Sequence, residues 1–172
     1  MVRVIRWGAA LCLVLTLAHC SDPAKDPAST AARGPILRVD RSPYGFDETV
    51  ERIVSAATAA GWKVPITHDL QASLRSAGYG IRQTAVIELC KPEVSYRILR
   101  SDSLRHLSAL MPCRVAVFER EGGSVLISRM DPDALEGAFA GEAGEVLREA
   151  SDGIESMLAG MLQATPPPKE HP

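Results

Sequence analysis

Aromatic side chains are scarce in this 172-residue chain, which carries two Trp, three Tyr and three Phe, 5% of the total. A core must therefore be assembled from Val, Ile, Leu, Met and Ala. An excess of positive charge is also missing: 19 Lys and Arg stand against 21 Asp and Glu. Without a global positive field, the chain as a whole is expected to attract neither nucleic acid nor anionic lipid. Arg3 and Arg6 lie in a segment expected to be removed, which leaves the remainder more acidic still. Several chemical fingerprints are absent as well. There is no phosphate loop, no dinucleotide glycine pattern and no Gly-x-Ser-x-Gly elbow, so no complete catalytic motif marks an enzyme. Neither HExxH nor a CxxC spacing occurs, which removes the usual zinc and thioredoxin signatures. No internal repeat is visible.

What is present begins with an export signal. Arg3 and Arg6 form a positive start, and Trp7 to Ala18 is an uncharged apolar run, too short to span a bilayer as a helix with normal flanks. Leu17-Ala18-His19-Cys20 resembles a bacterial lipobox, with His19 departing from the small residue of that pattern. The resemblance implies a signal peptide over residues 1–19 and lipidation of Cys20, hence a membrane partner reached through an N-terminal lipid. Residues 20–35, rich in Ala, Pro, Asp, Ser and Gly, read as a flexible tether. Ser21, by resemblance to Gram-negative sorting rules, points to the outer membrane of the cell envelope, with the domain facing the periplasm. Residues 164–172 include three successive prolines and read as a loose tail.

Between them, residues 36–163 have the size and patterning of one small domain. Ile36 to Asp40 alternates and precedes a Ser42-Pro43-Tyr44-Gly45 turn, so a first strand is expected. Val50, Ile53, Val54, Ala57 and Ala60 recur at helical spacing, with Asp47 as cap and Gly61 just past the end. Trp62 to Thr67 reads as a second strand, edge or bulged because of Pro65. Leu70 to Ala77 reads as a short helix ended by Gly78, and Thr84 to Cys90 as a central strand. Pro92 opens a helix, where proline loses no intrahelical bond. Leu104 to Met111 is a short apolar run. Cys113 to Glu119 and Ser124 to Arg129 read as a hairpin around Glu121-Gly122-Gly123. After Asp131-Pro132 the chain turns helical. Its clearest stripe is Val146, Leu147, Ala150, Ile154, Met157, Leu158, Met161 and Leu162, whose covering is most simply the sheet. The expected class is α+β: a mainly antiparallel curved sheet packed by helices, with a long amphipathic helix at the C-terminal end. Such a helix suits a monomer or a homodimer.

Three segments together resemble the family known as domain of unknown function 302: Gly45 to Val50 leading to Gly61-Trp62, Glu88-Leu89-Cys90-Lys91-Pro92, and Leu110 to Glu119. Val125 to Asp131 and the region of Phe139 look like its cysteine-bearing members. The resemblance covers about Tyr44 to Leu162 and implies a compact α+β fold with no assigned activity. It also implies that the fold does not require the cysteines, since many members lack them.

The cysteines are where chemistry is expected. Cys12 leaves with the signal and Cys20 takes lipid, so Cys90 and Cys113 remain, each at a strand boundary and beside a proline. If those strand ends meet, the thiols become neighbours. They would then serve as a soft-metal or sulfur-handling site, with copper(I) the metal that thiolate and thioether donors select. Met111 and Met130 lie in the same segments, and His68 or His106 would add an imidazole. Arg114, next to Cys113, is expected to be solvated or carboxylate-paired, and would lower that thiol's pKa only if it faced the sulfur; His68 and His106 are expected as surface or capping side chains unless they turn to the thiols. The alternative is a structural or partner-binding lipoprotein in which the two cysteines form only a disulfide, worth about 3 kcal/mol for a loop of this length. A third reading makes Cys113 the nucleophile of a thiol–disulfide enzyme or sulfur carrier, and a fourth leaves two buried free thiols with no function.

Overall fold

The structure, a computed structural model, describes residues 36–163. The signal peptide, Cys20, the tether and the tail lie outside the described residues. Among the described residues no helix is long and apolar enough to cross a membrane.

Five strands make one antiparallel sheet: β1 (Leu37–Arg41), β2 (Thr67–Asp69), β3 (Thr84–Leu89), β4 (Cys113–Glu119) and β5 (Val125–Met130), in the order β1-β5-β4-β3-β2. The helices are α1 (Phe46–Ala59), α2 (Leu70–Ser76), α3 (Pro92–Arg100), α4 (Pro132–Ala138) and α5 (Glu142–Leu162), with a 3-10 turn at Arg105–Leu110. Strand alternation decides the inner face. Ala85, Ile87 and Leu89 of β3, Val115 and Val117 of β4, and Val125 and Ile127 of β5 are all buried. Against them α1 lays Ile53 and Ala57, and α5 lays Ile154, Leu158 and Met161. The α+β class and the antiparallel sheet are thus as the sequence suggests.

Three local expectations change. The stripe on the last helix is divided: its C-terminal half packs on the sheet, whereas Val146, Leu147 and Ala150 meet Val94, Ile98, Leu104, Leu107 and Leu135. The second strand does not run from Trp62. Lys63 makes an isolated bridge to Cys90, and the ladder starts only at Thr67, because Pro65 has no N–H to donate between them. Asp47 is not the cap of α1 either. Gly45 holds that position and Asp47 lies in the first turn, where a carboxylate still suits the helix dipole. The buried hydroxyls behind this corner escaped the sequence reading: Thr49 Oγ1 sits 2.6 Å from Ser42 Oγ and donates to the Gly45 carbonyl at 2.7 Å.

Trp62 is 5% exposed, and its indole lies flat enough on α5 that a Cβ at Gly153 would stand 2.9 Å from Trp62 Cζ2. In a helix Gly→Ala ordinarily gains about 1 kcal/mol. Here the indole must move, at about 1–3 kcal/mol for overpacking. Gly153→Ala is therefore expected to lower stability in urea denaturation, with a shifted tryptophan emission maximum; a stabilised variant would contradict this packing.

Candidate functional site

The β3–β4 register places Cys113 opposite Leu89, and Cys90 is the next residue along. A segment of 22 intervening residues thus leaves and returns at one end of the sheet. Within it lie α3 and the 3-10 turn, and the cis peptide between Met111 and Pro112 delivers the chain into β4. Cys90 is held by a two-bond bridge to Lys63, its N–H donating to the Lys63 carbonyl at 2.9 Å and its carbonyl accepting at 2.8 Å. Its Sγ lies 3.2 Å from Ser95 Oγ in the first turn of α3. Both cysteines are free thiols and both are part-buried.

Cys113 faces inward, between the two apolar clusters. It borders two small cavities. One, of about 30 Å³, is lined by Trp62, Ser95, Met111, Pro112 and Cys113 among others. The second, of about 20 Å³, adds Met130, Leu135 and Ile154. Each has room for about one water-sized occupant. Burial pushes the Cys113 thiol up to about 11, with a neighbouring charge on Cys90 adding to the effect and a backbone hydrogen bond opposing it. The two thiols are thus close enough to sense each other's charge.

Cys90, Cys113 and Met111 are therefore brought to one end of the sheet, and Met130 borders the second cavity. Arg114, His68 and His106 are not there. Successive strand residues point to opposite faces, so Arg114 leaves Cys113 and meets Glu88 across the strands, Nη2 to Oε1 at 3.7 Å. The same Glu88 oxygen lies 3.1 Å from His68 Nε2. Arg114 is thus carboxylate-paired, the first of its two expected roles, and is no cause of the thiol's shift, whose sign is opposite to the one a facing guanidinium would give. His106 is exposed on the 3-10 turn. Among the described residues no three of His, Cys, Asp and Glu converge as metal ligands. The site consists of sulfur donors within apolar walls, with Ser95 as its nearest hydroxyl and Lys91 at its rim, where Nζ donates to the Ala60 carbonyl at 2.8 Å.

A second polar constellation was not anticipated. Arg129, in an inward-facing position of β5, has a side chain only 2% exposed. Its Nε and Nη2 donate to the two oxygens of Glu155 at 2.7 and 2.8 Å, and Nη1 donates to Asp40 at 2.5 Å. Arg38 bridges Glu155 at 3.1 Å and Asp131 at 2.9 Å. Burial works against the charge of Arg129, but Glu155 and Asp40 outweigh it and hold its pKa above the usual value. For Asp131 burial is likewise outweighed, by the Ala134 N–H and Arg38, so its carboxyl sits below the usual range. With every member paired, this network ties β1, β5 and α5 together.

Residues 39–165 match the family model of DUF302, a domain of unknown function. Among solved structures, an uncharacterised conserved DUF302 protein from Bacillus stearothermophilus is similar. It is 24% identical, with a TM-score of 0.59 over 73% of this chain and 94% of that one, a likeness that bears on fold alone. No curated protein matches the chain.

Proposed function

The chain belongs to the DUF302 family, and from that premise we propose that it is an envelope-anchored lipoprotein whose Cys90/Cys113 pair captures a soft metal ion, copper(I) in the first place. One observation carries the reading: the free thiol of Cys113 and the thioether of Met111 line a cavity of about 30 Å³ with largely apolar walls, and the free thiol of Cys90 reaches Ser95, which lines the same cavity. Donor chemistry selects the ion. Zinc asks for about four ligands drawn from Cys, His and carboxylate, and among the described residues no such group exists. Copper(I) and silver(I) accept few, soft donors. The raised pKa of Cys113 also separates the hypotheses. A thiol protonated at neutral pH is a poor nucleophile, which argues against the enzyme and sulfur-carrier readings. A soft ion displaces the proton itself.

The test is a titration of the reduced, purified chain with silver(I) or copper(I) against a competing chelator. One ion per chain is expected, with binding lost in Cys90→Ser/Cys113→Ser and weakened about tenfold in Met111→Leu, a loss of the size seen when a metal site's support is removed. His106→Ala and His68→Ala should change nothing. A 90–113 disulfide that resists mild reductant, together with no metal uptake, would replace this reading with that of a structural crosslink.

A further inference from the structure

Helix α2 has no buried residue. Its apolar pair Leu70 and Leu74 is 36% and 39% exposed, and the following loop exposes Tyr79 at 65% and Ile81 at 37%. The loop is folded back onto the helix: the Tyr79 N–H donates to the Leu74 carbonyl at 2.9 Å, and Gln71 Nε2 donates to the Ile81 carbonyl at 3.0 Å. The four side chains therefore form one presented surface, beside the three-residue edge strand β2. A helical apolar stripe normally faces a core. This one faces outward, in a fold whose other long helices bury theirs.

Two cations border the patch. Arg75 and Arg82 flank it and are exposed, and neither has a carboxylate partner among the described residues. Arg38, Arg52, Arg97, Arg105 and Arg129 each reach a carboxylate, whereas Arg75 and Arg82, like Arg41 and Arg100, do not among the described residues. Asp69 is occupied as the cap of α2, accepting from the Ala72 N–H at 2.8 Å. Leucines and a tyrosine between two free guanidinium groups match an interfacial surface, with apolar groups entering the acyl boundary and arginines reaching lipid phosphates.

We propose that the edge formed by α2 and the loop to Arg82 docks onto an anionic phospholipid bilayer. The inference does not rest on the thiol site. A phosphatidylglycerol surface supplies the anions that two arginines need and an apolar layer together. Bilayer contact would hold the opposite end of β3, with its two cysteines, away from the lipid.

The full chain carrying Cys20→Ser, so that acylation is removed, is sedimented with vesicles of phosphatidylcholine mixed with phosphatidylglycerol, and with phosphatidylcholine alone. Residues 1–19 are kept in every variant, so their contribution is common to all. Arg75→Gln/Arg82→Gln is expected to weaken binding to the mixed vesicles about 25-fold, at about fivefold per arginine near an anionic surface, and to leave binding to the neutral ones unchanged. Leu74→Ser/Tyr79→Ser should weaken both. Hydrogen exchange across residues 70–82 should slow on vesicles. None of these side chains is buried, so unchanged thermal unfolding is the folding control. Equal sedimentation of all variants overturns the proposal. So does protection of residues 70–82 that rises with protein concentration and ignores lipid, which would mean self-association.

Discussion

Glu155→Ala is expected to destabilise the domain by about 3 kcal/mol, the low end of what is lost when one partner leaves a buried ion pair. The reason is the guanidinium that remains. Arg129 is 2% exposed, so without Glu155 it keeps only the bond to Asp40, and its Nε and Nη2 are shut away from water. Arg129→Met should cost far less, within about 1 kcal/mol, because an apolar side chain of similar length replaces a buried charge without a desolvation penalty. The carboxylates it abandons are not stranded. Asp40 is 44% exposed, and Glu155 keeps Arg38 at 3.1 Å. The ranking is the decisive part, and urea denaturation at neutral pH reads it. If Arg129→Met were the worse variant, the cation would be needed to hold Asp40 and Glu155 together, and the desolvation argument would fail.

That network also shows where sequence reasoning stops. Strand alternation turns Val125 and Ile127 inward in the structure, and the same period carries Arg129 to the inner face. Reading Arg129 from composition alone leaves it on the surface, because arginine is rarely buried unless paired. The partners that permit burial come from β1 and from α5, 89 and 26 residues away, and no local pattern announces such pairings. The hairpin is the opposite case. Gly122 and Gly123 adopt φ of 85° and 76°, a demand that local chemistry satisfies by itself, so the turn and both strands were legible.

The thiol site lies between these cases. Cys90 and Cys113 could be placed at strand ends from the β-rich runs beside them, and the strand register then brings both to one end of the sheet. What surrounds them could not be read. Arg114 is adjacent to Cys113 in sequence, yet strand alternation carries it to the other face to join Glu88 and His68. Ser95 is five residues from Cys90 and touches its sulfur, because Pro92 opens α3 at once and its first turn folds back over the strand end. Trp62 reaches the cavity from a segment that is not a strand at all.

Alkylation of Cys113 by iodoacetamide at about pH 7 is expected to be about tenfold slower than that of an exposed thiol at 9.0. A thiol held at about 11 is ionised in about one molecule in ten thousand at neutral pH, against about one in a hundred at 9.0, a ratio of about 100. The more basic thiolate is more nucleophilic, which returns about tenfold. The same proton sets the alkaline limit of the fold. Folding raises this thiol from 9.0 to about 11, so its contribution to stability is complete below about pH 9. Above that the unfolded chain ionises first, and about 2–3 kcal/mol is lost by pH 11. Cys113→Ala should remove that fall. A bound soft ion should remove it too, since the sulfur is then a coordinated thiolate in the folded state, and affinity for silver(I) should rise about tenfold per pH unit for each proton released. Metal that binds with no dependence on pH, and leaves the alkaline transition where it was, would have to sit somewhere other than on Cys113.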